Sequence, residues 1–176
     1  RPWDVYWKLI TGDVYWFPVT IPEGMDIFDV AKAVSSQLPI REEEFLEVAN
    51  DPSLIKDLDS EAVSLEGYLF PDTYRVSSKS TARSLAKAMT DRFRQILKSG
   101  IKKKLDVIDM SLRETLTLSS LVEKETGKRE ERPVIAGVFW NRLRRRVLLQ
   151  CDPTVIYAAR LSGRYKGGGI IRQSDL

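Results

Sequence analysis

Proline and glycine cut this chain into short helical runs and leave it one clean strand, a pattern that leads to an α+β fold built mostly of helices. Val14 to Ile21 carries β-branched and aromatic residues and reads as that strand, ended by Pro22-Glu23-Gly24. Asp26 is the expected N-cap of a helix with Ile27, Val30, Ala31 and Val34 at helical spacing, stopped by Pro39. Arg41 to Ala49 reads as a second, acidic helix, and Asp51-Pro52-Ser53 opens a short turn. Leu65 to Val76 is apolar, but Gly67 and Pro71 exclude a regular central strand. Thr81 is placed to cap a helix reaching Lys98, with Gly100 as its stop. Ser111-x-x-Glu114 is a capping box opening a helix to about Thr126, with Gly127 beyond it. Glu130 to Arg146 is the next helix, with Pro133 in its first turn and Val134, Ile135, Val138, Phe139 and Leu143 as its apolar positions. Val147-Leu148-Leu149 reads as extended. Asp152-Pro153 reads as an N-cap plus first-turn proline of a last helix, and Gly163 and Gly167-Gly168-Gly169 as loop.

At roughly 100–200 residues per domain, 176 residues make one domain or two small ones. A composition shift near residues 59–64 sets the expected boundary, with a small α+β module over 1–62 and a larger, mainly helical domain with short strands over 63–176. No apolar run approaches the roughly 18 residues that a membrane-spanning helix needs. The chain begins at Arg1 and stops at Gln173-Ser174-Asp175-Leu176, and is expected to be a piece trimmed at both ends. Its net charge of +3 is too mild to imply nucleic acid. Histidine is absent, which removes Ser-His-Asp triads, Cys-His dyads and histidine metal sites. A single cysteine, Cys151, excludes an internal disulfide and a thiolate zinc cluster, and reads as a packed thiol. The triple glycine lacks the lysine and hydroxyl of a P-loop. Carboxylates, hydroxyls, amides, lysine and arginine are left to carry the chemistry.

The helix from Leu112 is the informative one. At about 100° per residue, Glu125 falls between the directions of Leu121 and Leu118, and Glu123 between those of Leu112 and Leu116. Both acids point toward the apolar side, while Lys124 points to water. A carboxyl on an apolar face is costly to ionise, which suits a general acid that keeps its proton near neutral pH. The same pattern has a structural reading, in which one glutamate pairs with an arginine of the following helix and docks the two. Tyr68, Phe70 and Tyr74 likewise read either as a sugar-stacking wall or as core. The basic run Arg142–Arg146 reads either as a phosphate or lipid contact or as a solvated helix end completing the dipole.

Three segments carry a resemblance beyond this arithmetic: EGYLFPDTYRV at Glu66 to Val76, LSSLVEKETGKREERPVIAGVFWNRL at Leu118 to Leu143, and LQCDPTVIYA at Leu149 to Ala158. In order and spacing the chain resembles the endolytic peptidoglycan (murein) transglycosylases, the YceG-like family. VTIPEGMDIFDVAKAV at Val19 to Val34 resembles the LysM-like module that precedes the catalytic domain there. The resemblance implies a lyase that cleaves the β-1,4 bond between N-acetylmuramic acid and N-acetylglucosamine without water, leaves a 1,6-anhydro end and so terminates growth of nascent strands. It implies that Glu125, the second glutamate of the VEKE motif, is the catalytic acid, a choice over Glu123 that periodicity does not make. It makes Glu66, Asn141, Gln150, Asp152 and Tyr157 candidate substrate-binding residues, with Thr154 behind them. Asp152 has an equal reading as a helix cap. No metal, pyridoxal phosphate or other cofactor is implied.

The resemblance further implies a membrane anchor before residue 1, with Arg1 to Gly12 a remnant of the LysM-like region. A motif resembling SPYNTY and a Gly-Pro-rich stretch would follow residue 176. Cys151 stands where a threonine or another small residue is expected. The implied place of work is the extracytoplasmic face of a bacterial membrane, on glycan strands, with glycan polymerases and division proteins as family-level partners. Two other functions compete: a non-catalytic peptidoglycan-binding module, and a weak anionic-surface binder using Lys102–Lys104 and Arg142–Arg146.

Overall fold

The computed structural model of the chain describes residues 2–11, 16–77, 79–105, 107–108 and 110–163. Val14 and Tyr15 of the expected strand, the glycine run 167–169 and the end at 173–176 lie outside the described residues. The chain divides into two compact units, Arg1–Asp109 and Met110–Leu176. Its described elements are helices and one two-stranded antiparallel sheet, so the fold is α+β.

In the first unit, β1 (Trp16–Thr20) pairs with β2 (Thr73–Ser77) in the register Val19↔Tyr74. Strand alternation turns Val19, Tyr74 and Val76 into the core, while Trp16 and Phe17 at the start of β1 are both exposed. Both strands are edges, so Pro18 removes no ladder bond that a central strand would need. This pairing crosses the boundary expected at 62/63. Residues 63–109 therefore share a compact unit with 1–62, and the units divide at 109/110 instead.

Helix α1 (Pro2–Thr11) was not expected, since no element was assigned to the residues before Val14. Helix α2 (Ile27–Gln37) starts where Asp26 accepts a hydrogen bond from the Asp29 amide at 2.9 Å, and buries Ile27, Val30, Ala31 and Val34. Leu38 leaves the helix in extended conformation, as a residue preceding proline must. Helix α3 (Glu42–Ala49) packs on α2 and on α4 (Ala82–Ile96). A reciprocal capping box between Thr81 and Ser84 opens α4, which contributes Leu85, Ala86, Met89 and Phe93 to the core. The following turn, Leu97–Ile101, is broken at Gly100, whose φ of 119° disfavours any other residue, and α5 (Lys102–Leu105) follows.

Tyr68 and Tyr74 belong to this core. Tyr68 donates to Asp59 at 2.7 Å and stacks edge-on against Phe93, and Tyr74 donates to the carbonyl of Phe70. Both are buried, so the sugar-wall reading of these rings is set aside.

The second unit holds α6 (Leu112–Glu125), α7 (Arg132–Arg144) and α8 (Asp152–Leu161). The Ser111–Glu114 capping box forms in both directions, with the Ser111 amide donating to Glu114 at 2.8 Å and the Glu114 amide to Ser111 at 3.2 Å. Val122, Phe139 and Cys151 make a small core, flanked by Leu118, Leu121, Ile135 and Leu149. On α7 the pair Ile135 and Phe139 turns inward, while Val134 and Val138 are exposed.

Of the short strands expected over 63–176, β2 forms in the first unit, and none forms in the second among the described residues. Val147-Leu148-Leu149 meets no partner strand; Arg142 instead donates to the carbonyl of Leu149 and holds the segment to its own helix. Asp152 is the first helical residue of α8 rather than its cap. Cys151 occupies the N-cap, extended at φ −120° and ψ 112°, with no side-chain capping bond.

Candidate active site

The last turn of α6 sorts the two glutamates. Glu123, half-buried, accepts from the Nη2 of Arg132 on α7 at 2.9 and 3.0 Å. This is the helix-docking ion pair that the pattern offered as a structural reading. Glu125 is the final helical residue and is exposed. The expectation of a solvent-poor carboxyl at 125 is therefore corrected: α6 stops there, and no further turn lies beyond to cover it.

The stop itself is built by Thr126, which leaves the helix extended at φ −143° and is buried. Its hydroxyl donates to Glu131 at 2.7 Å and accepts from the Lys128 amide at 3.0 Å. The Thr126 hydroxyl foremost, and next the Lys128 ammonium at 3.1 Å, hold the Glu131 carboxyl below its usual range. Gly127, the expected stop, does not adopt a positive φ, so its conformational freedom is not what ends the helix.

Cys151 faces Glu125 from the start of α8. Its Sγ lies 3.8 Å from Glu125 Oε2, within hydrogen-bonding reach for a thiol donor. Burial pushes the thiol up from its ordinary value, and the nearby Glu125 charge adds to this. The residue before it, Gln150, is exposed and sits at φ 50°, a left-handed conformation uncommon outside glycine. Arg146 is the other non-glycine residue in that region, at φ 53°. The two bracket the segment that Arg142 pins.

The remaining predicted residues are placed as follows. Asp152 is exposed in the first turn of α8, where a carboxylate complements the helix dipole. Thr154 donates to the carbonyl of Cys151 at 2.6 Å, and Tyr157 is half-buried on α8. Asn141 is exposed on α7, lining with Arg144 and Arg145 a surface recess of about 250 Å³. Glu66 belongs to the first unit, where it accepts from the Ile27 amide at 3.1 Å and so serves the start of α2. The geometry brings Cys151 to Glu125, with Gln150 and Asp152 flanking it in the chain, and gives Glu66 a bond to the start of α2. Among the described residues no cluster of carboxylates and thiols is arranged to hold a metal ion, and no helix is long and apolar enough to cross a membrane.

The sequence model of the family described as YceG-like matches residues 1–176. The chain belongs to the YceG-like family. Its similarity extends to an endolytic murein transglycosylase of Bacillus subtilis, 33% identical over 178 residues, covering 90% of this chain and 48% of that protein. An endolytic murein transglycosylase of Streptococcus pneumoniae is 37% identical over 163 residues, covering 80% of this chain and 29% of the relative. The crystal structure of a YceG-like protein from Listeria monocytogenes superposes with a TM-score of 0.78 at 28% identity, over 99% of this chain and 61% of that one. This YceG-like chain thus spans about half the length, or less, of the curated relatives it matches. Cys151 is the contact that the sequence did not reveal: it lies 26 residues from Glu125, and no local spacing links the two.

Proposed function

We propose that this chain carries the catalytic machinery of an endolytic murein transglycosylase, with Glu125 as its acid and base. What supports the reading most is the contrast on α6: one glutamate is committed to Arg132, and the other stands exposed without a cationic partner among the described residues. Relatives named endolytic murein transglycosylase match across most of the chain.

Protonated Glu125 donates to the glycosidic oxygen as the bond to C1 of the muramic acid breaks, through an oxocarbenium-like transition state. The sugar's own C6 oxygen attacks C1, and its proton passes to the Glu125 carboxylate, restoring the acid. Atoms balance without water, and the product ends in 1,6-anhydro-muramic acid. Ring closure is intramolecular, so high effective molarity replaces an activated water.

In this reading Asn141, Gln150, Asp152 and Tyr157 bind glycan, Glu66 keeps its bond to the start of α2, and no cofactor is required. Residues 1–62, with β2 completing their sheet, act as a LysM-like module, and the rest of 63–176 supplies the catalytic part. The enzyme works at the extracytoplasmic face of the bacterial membrane, beside glycan polymerases and division proteins.

The test compares wild type and Glu125→Gln on uncrosslinked glycan strands, with products read by mass spectrometry. The variant is expected to yield no anhydro ends while keeping the wild-type unfolding temperature. Equal anhydro yield from both removes Glu125 from the reaction. Retention on cell-wall sacculi with no fragment released by wild type makes the chain a binding module instead.

A further inference from the structure

Resting on that reading of Glu125, we infer that Cys151 is the positioning residue of the catalytic acid, its thiol donating to Oε2 and leaving Oε1 to face the glycosidic oxygen. The thiol lies 3.8 Å from Oε2, and among the described residues it is the partner the Glu125 carboxyl has. Cys151 is anchored for this work: it is only 4% exposed and packs with Val122 and Phe139. It sits at the N-cap of α8, where a short polar side chain ordinarily bonds the first turn, yet its sulfur makes no capping bond. The side chain is thus spent across the unit rather than on its own helix.

The choice of donor suits the task. An acid that gives a proton and takes one back must be stable in both states. Arg132 holds Glu123 in an ion pair, which serves docking and leaves that carboxylate tied to a cation. A thiol is a weak, neutral donor that orients the carboxyl without tying it to a cation. Its own proton is secure, since burial and the Glu125 charge both resist ionisation of Cys151. Without the thiol, Glu125 is a long side chain at an exposed helix end, free to sample several rotamers. Holding one oxygen removes part of that freedom before substrate arrives.

The experiment measures kcat and KM for anhydro-end formation by the purified protein, using wild type, Cys151→Val, Cys151→Ala and Cys151→Ser, with Glu125→Gln alongside. Valine keeps the volume without a donor, alanine covers the case in which valine overpacks, and serine restores a donor. The expected result is a kcat lowered about tenfold in the alanine and valine variants at unchanged KM, returning to within about threefold of wild type in serine. Wild-type kcat in either donorless variant overturns the proposal, as does a loss that serine does not restore or one carried by KM. Anhydro product from Glu125→Gln overturns the underlying reading of Glu125 instead, so the two failures are told apart.

Discussion

Two residues along one helix turn separate a docking carboxylate, Glu123, from the proposed acid, Glu125. Glu123 and Arg132 are each about one-third exposed, at 30% and 31%, so water screens the pair and its net contribution is modest. Glu123→Gln is expected to lower stability by about 1 kcal/mol, read from the denaturant midpoint, while anhydro-end formation persists. Loss of all activity with an unchanged midpoint would exchange the roles of the two glutamates. The docking reading of the pattern holds for Glu123, and the general-acid reading is the one proposed for Glu125. Periodicity put both acids on the apolar side because it treats a helix as endless; the end of α6 at Glu125 is what exposes the second. Asp152 was displaced by a single position, which moved the cap to Cys151.

At the scale of elements, the N-caps carry their own signal. Ser111 and Glu114 bond each other's backbone within one turn, and this holds the Glu114 carboxyl low, first through the Ser111 hydroxyl and then its amide. Ser111→Ala is expected to cost about 1 kcal/mol and to speed amide exchange at residues 112–114, measured by hydrogen exchange. Unchanged exchange there would show α6 nucleated elsewhere. Asp26, Thr81 and Ser111 were all legible because a cap is settled within four residues. The β1–β2 pairing was not, since Trp16 and Ser77 meet across 61 residues of chain, on either side of the expected boundary at 62/63. Nor was α1: Trp3, Tyr6, Trp7 and Ile10 follow helical spacing, but aromatic side chains lose rotamer freedom in helices and favour strands.

For the molecule as a whole, acid is the condition that strains both units together. Asp57 in the first unit is held below its ordinary 3.8 by the Arg94 hydrogen bond, and Glu131 in the second lies below 4.5 through Thr126. A carboxyl lowered on folding stabilises the fold above its unfolded value, and that contribution fades as pH falls through the folded one. The unfolding temperature is therefore expected to be flat near neutrality and to drop below about pH 4, with Asp57→Asn lowering it at pH 7 and flattening the descent. An identical pH profile for the variant would deny Asp57 any share. The probe for such a titration matters. Of the four tryptophans, Trp3, Trp7 and Trp16 already stand 70%, 60% and 54% exposed in the folded chain, while Trp140 alone lies in the second unit and is half-buried. Most of the indole emission thus comes from rings that are wet before any denaturant is added, so fluorescence will understate the loss of structure, and far-ultraviolet dichroism from the helices is the signal to follow.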